Sequence, residues 1–512
     1  MTKNKTIMIA LDAAEPTLIE KWMEEGKLPE LKKLKELGVY GRVNEEDQKF
    51  IELPWLSFYN GTNQGGHGGY HYFKWISEKM KYEEISTKNT RMSPFWYEFN
   101  DQELKTITVG IPFTPKDKNL NGIEISSLEP YDRLEQINYF PKTIKKKLDN
   151  ILGKSDNIED ISANLSKNEL LKIKNLTLAH NKKIKILSTY LIENEEWDLF
   201  MLVVSGPHRG GHRLWGKPAD LSKSFNNEQG NQGESLLEIY QAGDKLIGEV
   251  LSKVSEEANI IICSLHGMGS NQDRSAVLPE MINRIVFPDI EKEQKLENYS
   301  FIVNLIRKIS RPDLRDKIKN RVPLFIRRWI SLYLLTNNKN WQSTPVFVIT
   351  GDYYAAIQIN LLGREKHGIV SAGEEYENWI KKIKLGLSTF KDGVTGEFLV
   401  AEILEREELG LKGEYEDRLP DLIINWNNAP ASQHKTIRSD IYGEIEWPTP
   451  GKNPDGRSGN HRNQGFFIGV GKGFKPGSEI KGIQIIDFAP TIINLLDQET
   501  PNFMDGKIIS NE

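Results

Sequence analysis

The chain has a single cysteine, Cys263, in 512 residues, and this scarcity excludes several classes of protein. One thiol can form neither a disulfide framework, nor a cysteine-based zinc site, nor an iron–sulfur cluster. The net charge is only −5, from 67 basic and 72 acidic residues. This balance excludes a generally basic nucleic-acid binder and an acidic disordered chain. With 38% hydrophobic and 27% charged residues, the composition is that of a globular protein that can bury a large core.

Long hydrophobic runs are also missing from the chain. The apolar run near the beginning, Ile7 to Leu11, is broken by Asp12 and is shorter than the ~7–15 residues of a secretory signal. No stretch approaches the ~18 apolar residues that cross a bilayer. We therefore expect no membrane span, a cytoplasmic location and no nucleic-acid partner.

Short apolar runs alternate with segments whose apolar residues recur at helical spacing. Such runs predict strands, because parallel strands buried on both faces are continuously apolar. The runs are TIMIAL from Thr6, KTITVG from Lys105, DLFMLVVS from Asp198, NIIICS from Asn259, PDLIINW from Pro420 and GFFIGVG from Gly465. The alternation predicts an α/β fold, with a central, mostly parallel sheet sandwiched by helices.

Two stretches interrupt this alternation. Residues of about 113–185 and about 275–345 are polar and helix-rich, and we expect both to be inserted cap elements on a single domain of residues 1–512. The second contains a basic stretch, Arg307 to Arg328, with nine Lys or Arg and two Asp. Two interpretations fit this basic stretch. In the first, it contacts phosphate groups, lipid headgroups or a partner; in the second, it is the solvated face of a cap helix.

Polar residues stand at the ends of several predicted strands, where α/β sheets bind their ligands. Asp12 follows the first strand, and GPHRGGH, with His208 and His212, follows DLFMLVVS. His266 follows NIIICS, and His461 precedes GFFIGVG. The i, i+4 spacing of His208 and His212 places them on one face if their segment begins a helix, which suits a divalent metal. Together, the four histidines and the aspartate predict a metal site.

In their order along the chain, these segments resemble the alkaline phosphatase superfamily, in its type I phosphodiesterase/nucleotide pyrophosphatase branch. The resemblance runs from about Thr6 to about Ser510, and it depends on all the matching segments in their order rather than on any single one. The matching segments include IALDAAEPTLIEKWMEEGKLPEL, PWLSFYNGTNQGGHG, GIPFTPKDKNLNGIEIS, DLFMLVVSGPHRGGHRLW, NIIICSLHGMG, RSGNHRNQGFFIGVGKGFKPG and IIDFAPTIINLLDQETPNFMDGKII. The resemblance implies the alkaline-phosphatase-like fold, a central sheet between helices with a variable cap.

The resemblance also implies two divalent ions, often zinc or manganese, and a Ser or Thr that attacks phosphorus between them. One of these ions takes an Asp, the nucleophile and an Asp-His pair. The corresponding residues here are Asp12, Ile51, Leu265 and His266. Since leucine and isoleucine can neither bind a metal nor attack phosphorus, this ion would keep only two protein ligands, Asp12 and His266.

The other ion of the family is held by an Asp and two His. All three positions are histidine here: His208, His212 and His461. Three neutral imidazoles and an open position are how zinc holds a reactive water, whose pKa falls to ~7. We therefore expect one divalent ion at these histidines, zinc first and manganese as the alternative. Asp12 and His266 would act as general base or acid, or hold a weak second ion.

Three functions stay open on this basis. The first is a metal-dependent hydrolase of phosphodiesterase or phosphomonoesterase type, in which zinc-bound hydroxide attacks a small, anionic phosphate-ester substrate. The second is a non-catalytic relative that binds an anionic ligand or a protein partner. The third is another reaction on the same scaffold, such as a transferase or an isomerase. Arg209, Arg213 and Arg462 lie beside the expected ligands, where they would hold an anionic substrate or face solvent.

The segment around the nucleophile position offers a few further candidates. Glu52 is a substitute ligand or catalytic carboxylate if the backbone register shifts by one residue. Ser57 and Thr62 carry hydroxyls, although such residues more often cap or line a helix. His67 fits a structural role in a turn, and Trp55 fits packing better than substrate binding.

Overall fold

The structure is a computed structural model of the chain. It describes residues 4–44, 53–102, 104–115, 120–128, 137–152, 166–216, 232–288, 340–349, 351, 354–450, 453–454 and 456–511. The helices, in chain order, are α1 Pro16–Glu24, α2 Pro29–Leu37, α3 Pro54–Asn60, α4 Gln64–His67, α5 Lys145–Leu152, α6 Lys167–Asn194, α7 Gly206–Leu214, α8 Gln232–Leu251, α9 Leu278–Val286, α10 Glu374–Leu387 and α11 Phe488–Leu495. The strands are β1 Thr6–Leu11, β2 Val39–Val43, β3 Phe73–Ile76, β4 Lys81–Glu84, β5 Thr106–Val109, β6 Gly122–Ser126, β7 Asn138–Phe140, β8 Leu199–Val204, β9 Asn259–Ser264, β10 Gly267–Ser270, β11 Val346–Ile349, β12 Ala355–Ile359, β13 Lys391–Asp392, β14 Val400–Glu405, β15 Leu422–Trp426, β16 Thr436–Ser439, β17 Gly443–Glu446, β18 Gly459–Arg462, β19 Gly465–Val470 and β20 Ser478–Ile483.

Nine strands form the central sheet, in the spatial order β20-β2-β19-β9-β1-β8-β5-β6-β7. All neighbouring pairs are parallel except the pairs that contain β19 or β7. The three central strands β9, β1 and β8 run in the same direction, so their carboxyl ends lie at one edge of the sheet. That edge is where parallel sheets bind ligands.

Helices cover both faces of this sheet, as the composition of β1 requires. Ile7, Ile9 and Leu11 point into the apolar cluster that contains side chains of α1, α2, α5, α6 and α8. Met8 and Ala10 point into the opposite cluster, with side chains of α3 and α11. Both faces of the strand are buried, which explains why it is apolar from Ile7 to Leu11. The predicted α/β fold with a mostly parallel sheet between helices is confirmed.

A second, smaller unit lies beside the central sheet. It has a four-stranded antiparallel sheet, β11-β12-β15-β14, and a three-stranded one, β13-β16-β17. Helices α9 and α10 share an apolar cluster with these strands. The hairpin of β3 and β4 packs against the same unit, since the Trp75 ring lies 5.1 Å from that of Phe347 and the indole N–H donates to Glu365 at 2.9 Å.

The observed elements differ from the expected insertions in two places. Within residues 113–185, β6 and β7 extend the central sheet, and α5 and α6 belong to its helical layer. After residue 275, α9 begins a unit with two sheets of its own, and PDLIINW, expected in the central sheet, forms β15 of this unit. An apolar run does not indicate which sheet its strand joins, because a strand in either sheet is buried and needs the same apolar sequence. The basic stretch 307–328 lies outside the described residues.

Within the part of the chain that the structure describes, every helix is too short or too polar to cross a bilayer.

Candidate metal centre

Two histidines of the site are carried by α7, directly after β8. His208 and His212 are one turn apart on this helix, and their ring centroids lie 4.8 Å apart. Pro207 stands in the first turn, where a missing backbone N–H costs no helical hydrogen bond. The backbone N–H of Ser458 donates to the His212 carbonyl at 2.9 Å, which ties the helix to the segment before β18.

The third histidine arrives on a strand outside the central sheet. His461 lies on β18, which pairs antiparallel with β10, and it stands opposite Met268. Its ring centroid lies 4.8 Å from that of His208 and 4.6 Å from that of His212. One ring nitrogen from each of these three histidines lies within 4.8 Å of the other two.

The hydrogen bonds of two of these rings indicate which nitrogen keeps a lone pair for a metal. His212 Nδ1 lies 3.1 Å from the Gly459 carbonyl oxygen, and His208 Nδ1 lies 2.6 Å from Asp12 Oδ2. Carbonyl and carboxylate oxygens only accept, so Nδ1 carries the hydrogen in both rings. Nε2 is then the nitrogen with the lone pair, and this is how metal-binding histidines are oriented.

Burial keeps two histidines of this cluster, His212 and His461, uncharged. Loss of solvation lowers the pKa of His212 well below its usual value, and the nearby positive charge of Arg457 lowers it further. Loss of solvation also lowers the pKa of His461, with added repulsion from the neighbouring imidazoles. Neutral imidazoles are the form that binds a metal, so the described residues suit one divalent ion.

Asp12 and His266 border the three histidines. Asp12 follows β1 and is 1% exposed; Trp55 Nε1–H donates to its Oδ1 at 3.2 Å. The His266 ring centroid lies 4.8 Å from that of His461 and 6.4 Å from that of His208. Burial lowers the pKa of His266 to about 4, although the Asp12 carboxylate opposes this shift. The structure thus brings together five of the predicted site residues.

The sequence model of the type I phosphodiesterase/nucleotide pyrophosphatase family matches residues 6–431. The chain belongs to this family. The match confirms the resemblance to the alkaline phosphatase superfamily, whose members in this branch are metal-dependent phosphoester hydrolases. The matched range contains Asp12, His208, His212 and His266 and ends before His461.

Two solved structures share the fold across nearly the whole chain. Human ectonucleotide pyrophosphatase/phosphodiesterase 5 is 13% identical, with 98% of this chain and 97% of that chain covered and a TM-score of 0.50. Phosphonoacetate hydrolase from Sinorhizobium meliloti, in complex with phosphonoformate, is also 13% identical, with 96% of each chain covered and a TM-score of 0.52. No curated protein matches this chain in sequence. At such identities the similarity concerns the fold alone.

The family resemblance predicts a departure from the two-ion plan at Leu265, and the structure shows where this side chain lies. Leu265, which the resemblance assigns to the Asp of the Asp-His pair, is fully buried in the apolar cluster of α3 and α11. On the correspondence that the resemblance implies, the described residues do not fit the usual ligand set of this ion. Ile51 and Glu52, the nucleophile position and its neighbour, lie outside the described residues.

Among the hydroxyls and arginines singled out in the sequence, Ser57, Arg213 and Arg462 contact other groups of the protein. Thr62 is buried, and Ser57 contacts His67 rather than the three histidines. Arg213 Nη1–H donates to the Gly456 carbonyl at 2.9 Å, and Arg462 donates to the carbonyls of His461 and Ser270.

Sequence reasoning missed Trp55 and Arg457 as neighbours of the site. The indole N–H of Trp55 bonds to Asp12, although the residue reads as ordinary packing in the sequence. Arg457 stands four residues before His461 in the chain, and that proximity was the available signal.

Proposed function

We propose that this member of the phosphodiesterase family is a hydrolase of phosphate-ester substrates that uses one divalent ion, held by His208, His212 and His461. The observation that carries the proposal is the convergence of three imidazoles, two of which are tethered through Nδ1. Three nitrogen ligands favour zinc over manganese, which prefers oxygen ligands. A zinc ion at this position would supply a water of lowered pKa and an electrophile for a phosphoryl oxygen.

The chain's own residues have two tasks in this proposal. Hydrolysis joins the oxygen of water to phosphorus and breaks a P–O bond, and a proton must pass to the departing alkoxide. Neutral His266, next to His461, would take the proton that the attacking water loses on its acceptor nitrogen, and the resulting imidazolium would give a proton to the departing alkoxide. The positive charge of Arg457 acts on His212 and His461, so it also acts on an anion bound beside them.

The substrate in this proposal is a small anionic molecule that contains a phosphate ester. The positive charge of Arg457 near the histidines supports an anion, and the phosphoester hydrolases of the family support the ester. A nucleic-acid partner is not expected, and a cytoplasmic location stays a prediction from the sequence.

A non-catalytic relative that binds an anionic ligand is the second candidate. The observation that favours it is Leu265, since its burial in the core removes one ligand of the family's other ion. This candidate predicts that the protein binds inorganic phosphate or a phosphate ester and converts neither phosphodiesters nor phosphomonoesters.

The experiment that tests the proposal is a metal analysis by mass spectrometry, combined with a hydrolysis screen on the untagged protein. We expect one zinc per chain, its loss in His461→Ala, and hydrolysis of a chromogenic phosphodiester or phosphomonoester that is lost in the same variant. His367→Ala is the matched control, because His367 is exposed and far in sequence from the site.

Two results would contradict the proposal. Zinc binding with no turnover of any ester would favour the non-catalytic candidate. Two ions per chain would mean that the second site of the family survives, and Glu52→Ala would then test whether this residue replaces the missing ligand.

A further inference from the structure

The carboxylate of Asp12 is engaged at both oxygens by neighbouring side chains. Oδ2 lies 2.6 Å from His208 Nδ1, a length typical of a charge-assisted hydrogen bond, and Oδ1 accepts from Trp55 Nε1–H at 3.2 Å. The carboxylate is 1% exposed, so water does not compete strongly with these two donors.

For an ion bound at Nε2 of His208, Asp12 lies on the far side of the imidazole ring, because Asp12 contacts Nδ1. Nδ1 and Nε2 lie on different edges of an imidazole, and Nδ1 is used for the bond to Asp12. An ion bound at Nε2 is therefore separated from the carboxylate by the ring. A direct zinc–carboxylate bond is ~2.0–2.2 Å long, so Asp12 and Nε2 of the tethered His208 cannot bind the same ion.

The described residues around Asp12 also provide few ligands for a second ion. Trp55 presents an indole N–H to the carboxylate, and an N–H donor cannot bind a cation. Leu265 is buried in the apolar cluster that also contains Trp55. Among the described residues at this position, His266 is the remaining side chain that could bind a metal.

We propose that Asp12 is a positioning residue that acts through His208, that Trp55 fixes its carboxylate, and that Asp12 binds no ion itself. This inference rests on the proposed one-ion site and reverses the role that the family resemblance implies for Asp12. A carboxylate behind a histidine fixes the tautomer and rotation of the ring and raises the basicity of Nε2. Loss of such a partner lowers metal affinity by about 10–100-fold.

The first test measures zinc stoichiometry and affinity by competition with a chromogenic chelator. We expect wild type and Asp12→Asn each to bind one zinc at saturation, with affinity about 10–100-fold weaker in the variant. Trp55→Phe, which keeps an aromatic ring and removes the N–H, should weaken zinc by a smaller factor. Ser57→Ala, on the same helix α3, should leave the affinity unchanged. Two ions in wild type and one in Asp12→Asn, or equal affinities, would overturn the inference.

The second test uses the metal-free protein, so that it does not depend on zinc binding. A proton shared between an imidazole and a carboxylate gives a strongly downfield ¹H NMR resonance. We expect one that disappears in His208→Gln and in Asp12→Ala and shifts in Trp55→Phe. Its absence from wild type would refute the Asp12–His208 contact. If the resonance is present but wild type binds no zinc, the proposed function fails and the contact stands.

Discussion

Ser57 Oγ lies 2.9 Å from Nε2 of His67, and this pair has the composition of a catalytic dyad without its chemistry. The other ring nitrogen, Nδ1, accepts a hydrogen bond from the backbone N–H of Gly69 at 3.0 Å. Nδ1 is therefore unprotonated, and Nε2 carries the hydrogen that Ser57 accepts. Burial, reinforced by the charge of Lys74, lowers the pKa of His67 to about 3, so the ring stays neutral. A ring that donates to a hydroxyl cannot also remove its proton.

Replacement of Ser57 should therefore leave catalysis intact. We expect Ser57→Ala to keep kcat/KM within about twofold of wild type, because no general base activates this hydroxyl. His461→Ala, measured beside it on the same phosphoester, should lose activity by about a thousandfold or more, the scale at which an essential group is removed. A comparable loss in Ser57→Ala would identify a serine nucleophile.

A buried chain of three side chains stabilises the smaller unit. Arg274 Nε–H donates to His434 Nε2 at 2.9 Å, and His434 Nδ1–H donates to Asp392 Oδ2 at 2.5 Å. Burial lowers the pKa of Arg274 to about 10 and also lowers the pKa of His434, so at neutral pH a neutral ring joins a cation to an anion.

His434→Phe should lower the free energy of unfolding by about 3 kcal/mol, because it leaves two buried charges without their link. His434→Gln, which keeps a donor and an acceptor, should recover part of this loss. Urea unfolding of both variants beside the exposed His367→Ala would measure the effect. A loss below about 1 kcal/mol in His434→Phe would show that these charges find other partners.

The titration of Asp244 on α8 should make the stability of the protein depend on pH. Its carboxylate accepts from the backbone N–H groups of Leu31 at 2.8 Å and Glu30 at 3.2 Å, at the beginning of α2. Burial raises its pKa from 3.8 to about 6 despite these bonds. The folded state therefore binds this proton more tightly than the unfolded state. The resulting stability is complete below pH 3.8 and is lost as pH rises through about 6.

The side chain in Asp244→Asn cannot ionise. The melting temperature of wild type minus that of this variant should therefore decrease as the pH rises from 5 to 7.5. Asp244→Ala should have a lower melting temperature than Asp244→Asn at every pH, because it also loses both hydrogen bonds. The melting temperature of wild type minus that of Asp244→Ala should also decrease as the pH rises. A difference that is constant over this range would show that Asp244 does not titrate there.

The central sheet could be predicted from the sequence because its strands are locally distinctive. The run Leu199–Val204 is apolar at every position and Thr6–Leu11 is apolar after Thr6, and burial on both faces requires this. β6 was missed because Gly122–Ser126 contains Glu124 and is not a continuous apolar run. The antiparallel sheets of the smaller unit were missed because their pairing is set by contacts remote in sequence.

The site could be predicted as a set of residues but not as a geometry. Strand ends and the spacing of His208 and His212 pointed to the histidines, since these features are local. The bond between Asp12 and His208 joins residues 196 positions apart, and nothing in the sequence indicates which side of the ring the carboxylate approaches. The family resemblance implied a metal ligand at Asp12, whereas its hydrogen bonds to His208 and Trp55 are the basis on which we propose a positioning role.

Arg457 should act on substrate binding more than on turnover. Its charge lowers the pKa of His212 and His461, and charged hydrogen bonds to a phosphate are worth about 1.5–3 kcal/mol. We expect Arg457→Ala to raise KM about tenfold or more with a smaller change in kcat, and Arg457→Lys to recover part of the loss. Arg438→Ala, an exposed arginine of β16, is the matched control. An unchanged KM in Arg457→Ala would place the substrate elsewhere.

Removal of the metal should lower thermal stability in a way that depends on the three histidines. An ion that binds only the folded chain stabilises it by RT ln(1 + [L]/Kd), about 2.7 kcal/mol at a hundredfold excess over Kd. We expect added zinc to raise the melting temperature of the chelator-treated wild type and of His367→Ala. Zinc should have little effect on His461→Ala or on His212→Ala, because two imidazoles are too few for a tight zinc site. An equal rise in all four proteins would mean that zinc binds outside this cluster.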